Sequence, residues 1–403
     1  MHRFLKALTA STLLVAASFT AHAQEDSVKI GVLTDLSGFS ADITGNGSIA
    51  AAQMAVEDFG GKVGDRKIEI ISADTGNNTD KASQIARSWI DQEGVDAIAD
   101  VPNSAVALAV NEVVRQKNKV LLVAGAGTPK LVGDSCSPNT VLWPSDSYGL
   151  SASTPLEVLK EGGDTWFFIT VDYTYGHVTQ EIMTKVIEDN GGKVLGGVLN
   201  PLNTPDFSSF LLQGQASGAK VIGFINVGVD LQNGIKQARE FKITDTQKLV
   251  GGTIFLTDIH TLGLEVTQGL YLSASFYWDM NEGTREFSKR FAERHNGKMP
   301  TFLQAGVYSS VLHYLKTLAD MPATDDGAAV VKHMKELPTD DPLFGQGTIR
   351  ADGRKLQPMY VFQVKKPEES TSEWDLYRLV SAVPAEKAVI AMNPELCKMV
   401  ANQ

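Results

Sequence analysis

The residues best suited to hold a ligand form a run with almost no side chain, Gly125-Ala126-Gly127-Thr128-Pro129. Backbone N–H groups in such a run can approach a bound group closely. A second pair, Asn103-Ser104, offers an amide and a hydroxyl at the start of a helical pattern. Unsatisfied N–H groups there favour an anion. The plainer role for that pair is an ordinary N-cap, and both roles can hold together. Asp172-Tyr173-Thr174-Tyr175-Gly176-His177 supplies rings that stack and hydroxyls that donate. The competing reading is a helix start with Asp172 as its local cap. Asn226 occupies the matching place in the second half of the chain. Tyr277-Trp278-Asp279 is an aromatic pair that either walls a pocket or packs a hinge.

Several chemistries are missing. The Gly125 run begins like a dinucleotide fingerprint, but Lys130 stands where the third glycine belongs and Pro129 intrudes. The sequence holds no P-loop, no H-E-x-x-H, no G-x-S-x-G and no Cys/His spacing suited to a metal. No cofactor, metal site or catalytic residue is expected. A triad assembled from distant residues stays open, though nothing supports one. His260, His295 and His313 receive no role. The formal net charge is −11, more negative still without Arg3 and Lys6, and no Lys/Arg cluster stands out. That argues against nucleic acid or an anionic membrane as partner.

These residues need elements to hold them, and the hydrophobic pattern supplies an alternation. Val28–Leu33, Lys67–Ala73, Ala97–Val101 and Val120–Val123 read as strands, with helices over Ser48–Phe59, Lys81–Gln92 and Ala105–Arg115 between them. The pattern restarts with a strand at Thr165–Val171 and a helix at Gly176–Asn190. It continues through Lys193–Leu199, Phe207–Ala216, Val221–Val227 and Asp230–Phe241, then extended segments at Leu249–Phe255 and Gly269–Phe276. Helices at Thr284–Asn296, Gln304–Leu318 and Gly327–Glu336 and short strands at Gly345–Arg350 and Met359–Val364 follow. Strands and helices alternating at these lengths imply an α/β fold with parallel, doubly wound sheets. The ligand-holding runs then sit at carboxyl ends of strands, where such sheets bind. The phrase Val56-Glu-Asp-Phe-Gly60-Gly61-Lys-Val63 resembles Ile187-Glu-Asp-Asn-Gly191-Gly192-Lys-Val194, which points to a duplicated lobe.

Arg3 and Lys6, the apolar stretch Ala7 to Thr20 and the site Ala21-His22-Ala23 read as a signal peptide over 1–23. The remaining chain of about 380 residues is long for one core, so two domains are expected. An exported chain with only Cys136 and Cys397 is expected to join them in a disulfide; the alternative is two free buried thiols.

The export signal, the opening VKIGVLTDLSG, the helix AAQMAVEDFGG and the AGAG-TP loop resemble type I periplasmic substrate-binding proteins. The resemblance is to the leucine/isoleucine/valine-binding branch that serves ABC importers, and it covers nearly the whole mature chain. CSPNTVLW, DYTYGH, FLTDIHTLG, YWD and QAGVYS resemble a subgroup associated with aromatic and other organic acids. The resemblance implies two Rossmann-like lobes joined by a three-crossing hinge. One lobe would take 24–145 plus 279–350, the other 146–278 plus 351–403. It implies a small carboxylate ligand, an aromatic or other organic acid or a branched-chain amino acid, delivered by a periplasmic monomer to a membrane permease. By position, Asn103, Ser104, Gly125, Ala126 and Gly127 would contact the ligand from the first lobe. Tyr173, Tyr175, Asn226, Thr253, Tyr277 and Trp278 would do so from the second. Amino-acid binders carry an acidic residue where Thr253 falls, with Asp258 further on, so this chain points to a ligand without an amine. A sensor role for a membrane receptor is the alternative, and an exported hydrolase a third.

Overall fold

The computed structural model describes residues 27–401 apart from Ser145 and Tyr173. The expected signal peptide and the Tyr173 contact lie outside the described residues. The first sheet contains β1 (Ser27–Thr34), β2 (Lys62–Val63), β3 (Arg66–Asp74), β4 (Ala97–Asp100), β5 (Val120–Val123) and β6 (Thr140–Leu142). Their spatial order is β2-β3-β1-β4-β5-β6, all parallel except the edge strand β2.

Alternation along these strands sorts the core to two faces. Val28, Ile30, Val32, Ala97, Ala99, Val120 and Leu122 join one buried cluster, with residues of α1 (Gly45–Phe59). Leu33, Ile98, Leu121 and Val123 join the other, with residues of α2 (Thr79–Gln92) and α3 (Ser104–Lys117). A strand's period of two requires this split when helices cover both sides. Gly31 is needed on the second face: a Cβ there would stand 2.4 Å from the Trp89 ring of α2.

After β6 the chain crosses to a second sheet. It begins with α4 (Ser147–Lys160), which the sequence pattern does not announce because small residues and Pro155 interrupt its apolar spacing. Then come β7 (Thr165–Val171), α5 (Thr174–Asp189), β8 (Lys193–Asn200), α6 (Ser208–Ala216), β9 (Val221–Ile225), α7 (Gly228–Glu240) and β10 (Lys248–Gly251). The short helices α8 (Leu256–Leu262) and α9 (Leu264–Thr267) precede β11 (Tyr271–Ala274). The expected strand over Leu249–Phe255 therefore stops at Gly251, and a loop takes its place.

The parallel strands of the two sheets repeat one order, β3-β1-β4-β5-β6 in the first and β8-β7-β9-β10-β11 in the second. The repeated phrase caps corresponding helices the same way: Gly61 N–H donates to Val56 O (3.0 Å) and Gly192 N–H to Ile187 O (2.8 Å). The sequels differ. Lys193 opens β8 directly, whereas Lys62–Val63 form the small antiparallel β2 and the parallel strand waits until Arg66.

The chain then returns. α10 (Glu282–Arg294), α11 (Phe302–Asp320) and α12 (Gly327–Glu336) belong to the first sheet's side, and α11 packs along α1 and over β4 and β5. A small antiparallel sheet of β12 (Thr339–Asp341), β13 (Gly345–Ile349) and β14 (Lys355–Leu356) leads to the third crossing. β15 (Met359–Val364) then extends the second sheet antiparallel to β11, and β16 (Tyr377–Val383) pairs antiparallel with β15 at its edge. Beyond α13 (Ala385–Ala388), which packs on α4, the tail reaches the first lobe. There Cys397 is bonded to Cys136 with Cα atoms 5.6 Å apart, as the cysteine count led us to expect.

Candidate functional site

The carboxyl ends of the first sheet present the N-terminus of α3 and the loop after β5. Asn103 caps α3, its Oδ1 accepting from the N–H groups of Ala105 (2.9 Å) and Val106 (3.2 Å), and Ser104 is exposed at the helix start. The N-cap role therefore holds, and it leaves the open end of a fourteen-residue helix beside the loop. Gly125 and Gly127 are half-buried and Ala126 is buried. A Cβ at Gly125 would come within 2.5 Å of Pro102 Cα, so only glycine fits that close passage. The Gly125 N–H is already bound to Asp100 O (3.1 Å), so this residue shapes the loop with its backbone rather than offering that donor. Gly127 O accepts from Ser147 N–H (2.8 Å), which ties the loop to the first residue of α4 and hence to the hinge.

Two acids lie under this wall. Asp35 is buried and accepts from Ser40 Oγ (2.7 Å), Asn77 Nδ2 (2.7 Å) and Gly38 N–H (2.7 Å). Burial works to raise its carboxyl, but these bonds prevail and hold it below the usual range. Asp100 ends β4 with no solvent exposure, and burial pushes its carboxyl up to about 6.

On the second sheet, Tyr175 lies half-buried in the first turn of α5, and a Cβ at Gly252 would lie 3.6 Å from its hydroxyl oxygen. Asp172 pairs with His177 (2.9 Å). Thr253 follows in the same loop, almost buried. Asn226 is fully buried, and both its amide functions are in use: Nδ2 donates to Ile169 O (3.1 Å) and Oδ1 accepts from Asn200 Nδ2 (3.0 Å). A ligand would have to break that pair to reach it. Asp258 is buried, accepting from Gln232 Nε2 (2.8 Å) and from Phe255 N–H (3.0 Å). Burial raises its carboxyl. Both of its oxygens are thus engaged at the start of α8.

Tyr277 and Trp278 sit at the second crossing and hold it to the edge of the second sheet. The Tyr277 hydroxyl donates to Trp374 O (3.0 Å) and accepts from the N–H groups of Leu376 (3.0 Å) and Tyr377 (3.3 Å). Trp278 Nε1 donates to the same Trp374 O (2.7 Å). These bonds serve hinge packing, and Tyr277 also lines a small hollow with Ile254, Phe276 and Phe302.

One contact between the two sides was missed by sequence reasoning. Phe255, in the loop after β10, stacks on Phe302 at the start of α11, with centroids 5.2 Å apart and planes 10° apart. Phe302 carries no motif; only its place at a capped helix start, behind Thr301, could have drawn notice. Two surface hollows lie elsewhere. One, at the amino ends of β9 and β10, is lined by Lys220 and Lys248, but Asp164 and Glu161 already pair these. The other runs between α5 and β8. Among the described residues no group of three His, Cys, Asp or Glu side chains could hold a metal ion.

A family model described as periplasmic binding protein matches residues 27–370. The chain belongs to the periplasmic binding protein family. A periplasmic binding protein from Burkholderia mallei is 45% identical, with a TM-score of 0.84 over 91% of this chain and 96% of that one. A branched chain amino acid ABC transporter periplasmic ligand-binding protein from Burkholderia xenovorans LB400 is 40% identical, with a TM-score of 0.85 over 90% and 96%. A Leu/Ile/Val-binding protein homolog 6 of Brucella suis biovar 1 (strain 1330) is 25% identical over 384 residues, 91% of this chain and 94% of that protein. The two sheets with one strand order are the two halves of this periplasmic binding protein, and the loops above lie at its strand ends. No helix among the described residues is long and apolar enough to cross a membrane.

Proposed function

We propose that this protein is the solute-binding component of an ABC importer, exported after loss of residues 1–23 and working as a monomer without catalysis. It captures a small carboxylate between a lobe of 24–145 plus 279–350 and a lobe of 146–278 plus 351–403, and presents the closed form to a membrane permease. The observation that carries this reading is the family match along the chain. Within that frame, the open end of α3 at Asn103-Ser104 and the Gly125–Gly127 loop suit a carboxylate. Tyr175 and Thr253 close on it from the other lobe, and Phe255 and Phe302 meet at the mouth.

The ligand class follows from charge. Thr253 stands where an ammonium-binding acid is expected, and the next acid, Asp258, already serves Gln232 and Phe255 N–H. An ammonium group would find no free carboxylate in that loop, so an organic acid without an amine, aromatic or aliphatic, fits better than leucine. The test is a thermal-shift series with benzoates, short aliphatic acids and branched-chain amino acids. A ligand at about a hundred times its Kd stabilises the protein by roughly 2.7 kcal/mol. Preference for leucine over every organic acid overturns the ligand class; no shift with any of them overturns the carboxylate reading.

A further inference from the structure

Asp100 places a carboxyl group with no cationic partner among the described residues directly beneath the Gly125 loop. It has φ +80° and Val101 has φ +55°, two successive non-glycine residues in the left-handed region. Such backbone persists only where its surroundings hold it. Here Val101 N–H donates to Leu33 O (3.0 Å), and Asp100 O accepts from the N–H groups of Ala124 and Gly125, both at 3.1 Å. The turn drives the side chain inward among the ends of β1, β4 and β5 and the start of α1. Asp100 Oδ1 lies 2.7 Å from the position a Cβ on Gly125 would take. Neither carboxylate oxygen meets a donor in full hydrogen-bonding geometry, and its polar side-chain neighbours are the hydroxyls of Thr34 and Ser48.

The groups around it do not neutralise a charge. β1 presents the Thr34 hydroxyl and α1 the Ser48 hydroxyl; both favour the ionised form, but less than burial opposes it. The loop after β1 presents Asp35, whose negative charge opposes it further. The loop after β5 presents the backbone of Gly125, and Pro102 leads away to α3. Among the described residues no Lys, Arg or His contributes to its ionisation.

We infer that Asp100 makes capture of an anionic ligand proton-linked: a carboxylate seated on the Gly125–Gly127 loop enters together with a proton on Asp100. The inference rests on the carboxylate reading of that loop. A ligand carboxylate there brings a second negative charge within a few ångström of a buried one. Two such groups do not ionise together, and the buried one takes up the proton. The proton comes from solvent and bonds to a carboxyl oxygen of Asp100, and no bond in the ligand changes. By linkage, affinity falls as Asp100 ionises. An amino acid brings an ammonium group as well and no net charge, so its linkage to Asp100 is weaker.

The test is calorimetric titration of the wild-type protein with 4-hydroxybenzoate, benzoate and leucine, in buffers of contrasting ionisation enthalpy. We expect net proton uptake with the acid that binds, and a Kd that rises by up to about tenfold per pH unit above about pH 6. Asp100→Asn keeps the side chain's shape and tolerates a left-handed backbone; its Kd should stay flat with no proton exchanged. A flat wild-type Kd between about pH 5.5 and about pH 8, or proton release on binding an acid, overturns the inference. The wild-type data decide this even if the variant fails to fold. If no probe binds, the carboxylate reading has failed, and the inference that rests on it is overturned with it. Carboxyl carbon NMR of the ligand-free protein separates the two failures. A midpoint for Asp100 below about 5 overturns the inference whatever binds, and one near 6 or above supports it.

Discussion

Arg354 Nε lies 2.9 Å from Asp146 Oδ2, and the two side chains are 1% and 0% exposed. The pair ties the first crossing to the third. Arg354 also donates through Nη1 to Leu142 O (3.1 Å), Asp146 Oδ1 accepts from Gly149 N–H (2.8 Å) at the start of α4, and Gln357 Nε2 donates to Pro144 O (2.6 Å). The first and third crossings are therefore joined by a buried, hydrogen-bonded junction. Removing one member leaves the other charged and buried, a loss of about 3–5 kcal/mol. We expect Arg354→Met to lower the unfolding free energy from urea denaturation by that order and Arg354→Met with Asp146→Leu to recover much of it. A single variant as stable as wild type would show that the joint does not depend on the pair.

Lys355, the next residue, gives the hinge a pH dependence. It is buried, with Nζ 2.7 Å from Gln357 Oε1, 4.8 Å from the Trp143 ring centre and 4.6 Å from that of Phe344. Burial pushes its ammonium down to about 8, with Asp341 opposing the shift. In the unfolded chain a lysine titrates near ~10.4. Between those values the unfolded state binds more protons, so this group makes stability rise with pH from about 8 to about 10.4, and its full cost applies below 8. The expected size is roughly 3 kcal/mol. Chemical denaturation of wild type and Lys355→Met across that range should show the rise in wild type only. Parallel profiles would place the ammonium in a better solvated site than the distances describe.

The Cys136–Cys397 bond closes a separation of 261 residues and fastens the tail behind the first lobe. Chain entropy sets an upper guide of about 5–6 kcal/mol for such a loop, and measured effects are more often about 2–4 kcal/mol. Exported protein, denatured without reductant, should take up no thiol-alkylating reagent, and the double serine variant should unfold at lower denaturant. Two alkylated thiols without reductant would remove the bond from the native molecule.

Much of the alternation of strands and helices was legible because strands such as β4, β5 and β9 are short apolar runs and helices such as α2 keep one apolar face. Asn103 was legible because a cap next to a periodic run is a local signal. α4 was not, since Pro155 and small residues blur its spacing while tertiary packing keeps it helical. Tyr277 shows a different limit. Its ring and hydroxyl have the composition of a pocket wall, but the partners that occupy the hydroxyl, Trp374, Leu376 and Tyr377, lie about a hundred residues away. Asp100 was invisible for the same reason: its burial depends on a loop, a helix start and two strands that only the fold brings together.

Gly125 gives the sharpest test of where the ligand sits. Its Cβ position lies 2.5 Å from Pro102 Cα and 2.7 Å from Asp100 Oδ1, and backbone does not yield as a flexible side chain would. Gly125→Ala must therefore displace the loop by a few tenths of an ångström or more, together with Ala126 and Gly127. The strands beneath it, β4 and β5, are untouched, so circular dichroism should be unchanged and stability reduced by only about 1–3 kcal/mol. Hydrogen bonds to a carboxylate are strongly directional, and misplacing one charge-assisted bond costs about 1.5–3 kcal/mol. We expect affinity for the acid that stabilises the wild-type protein to fall at least about tenfold, while Ser104→Ala, at the exposed end of α3, falls less. A folded Gly125→Ala variant that binds as tightly as wild type would move the site away from this loop.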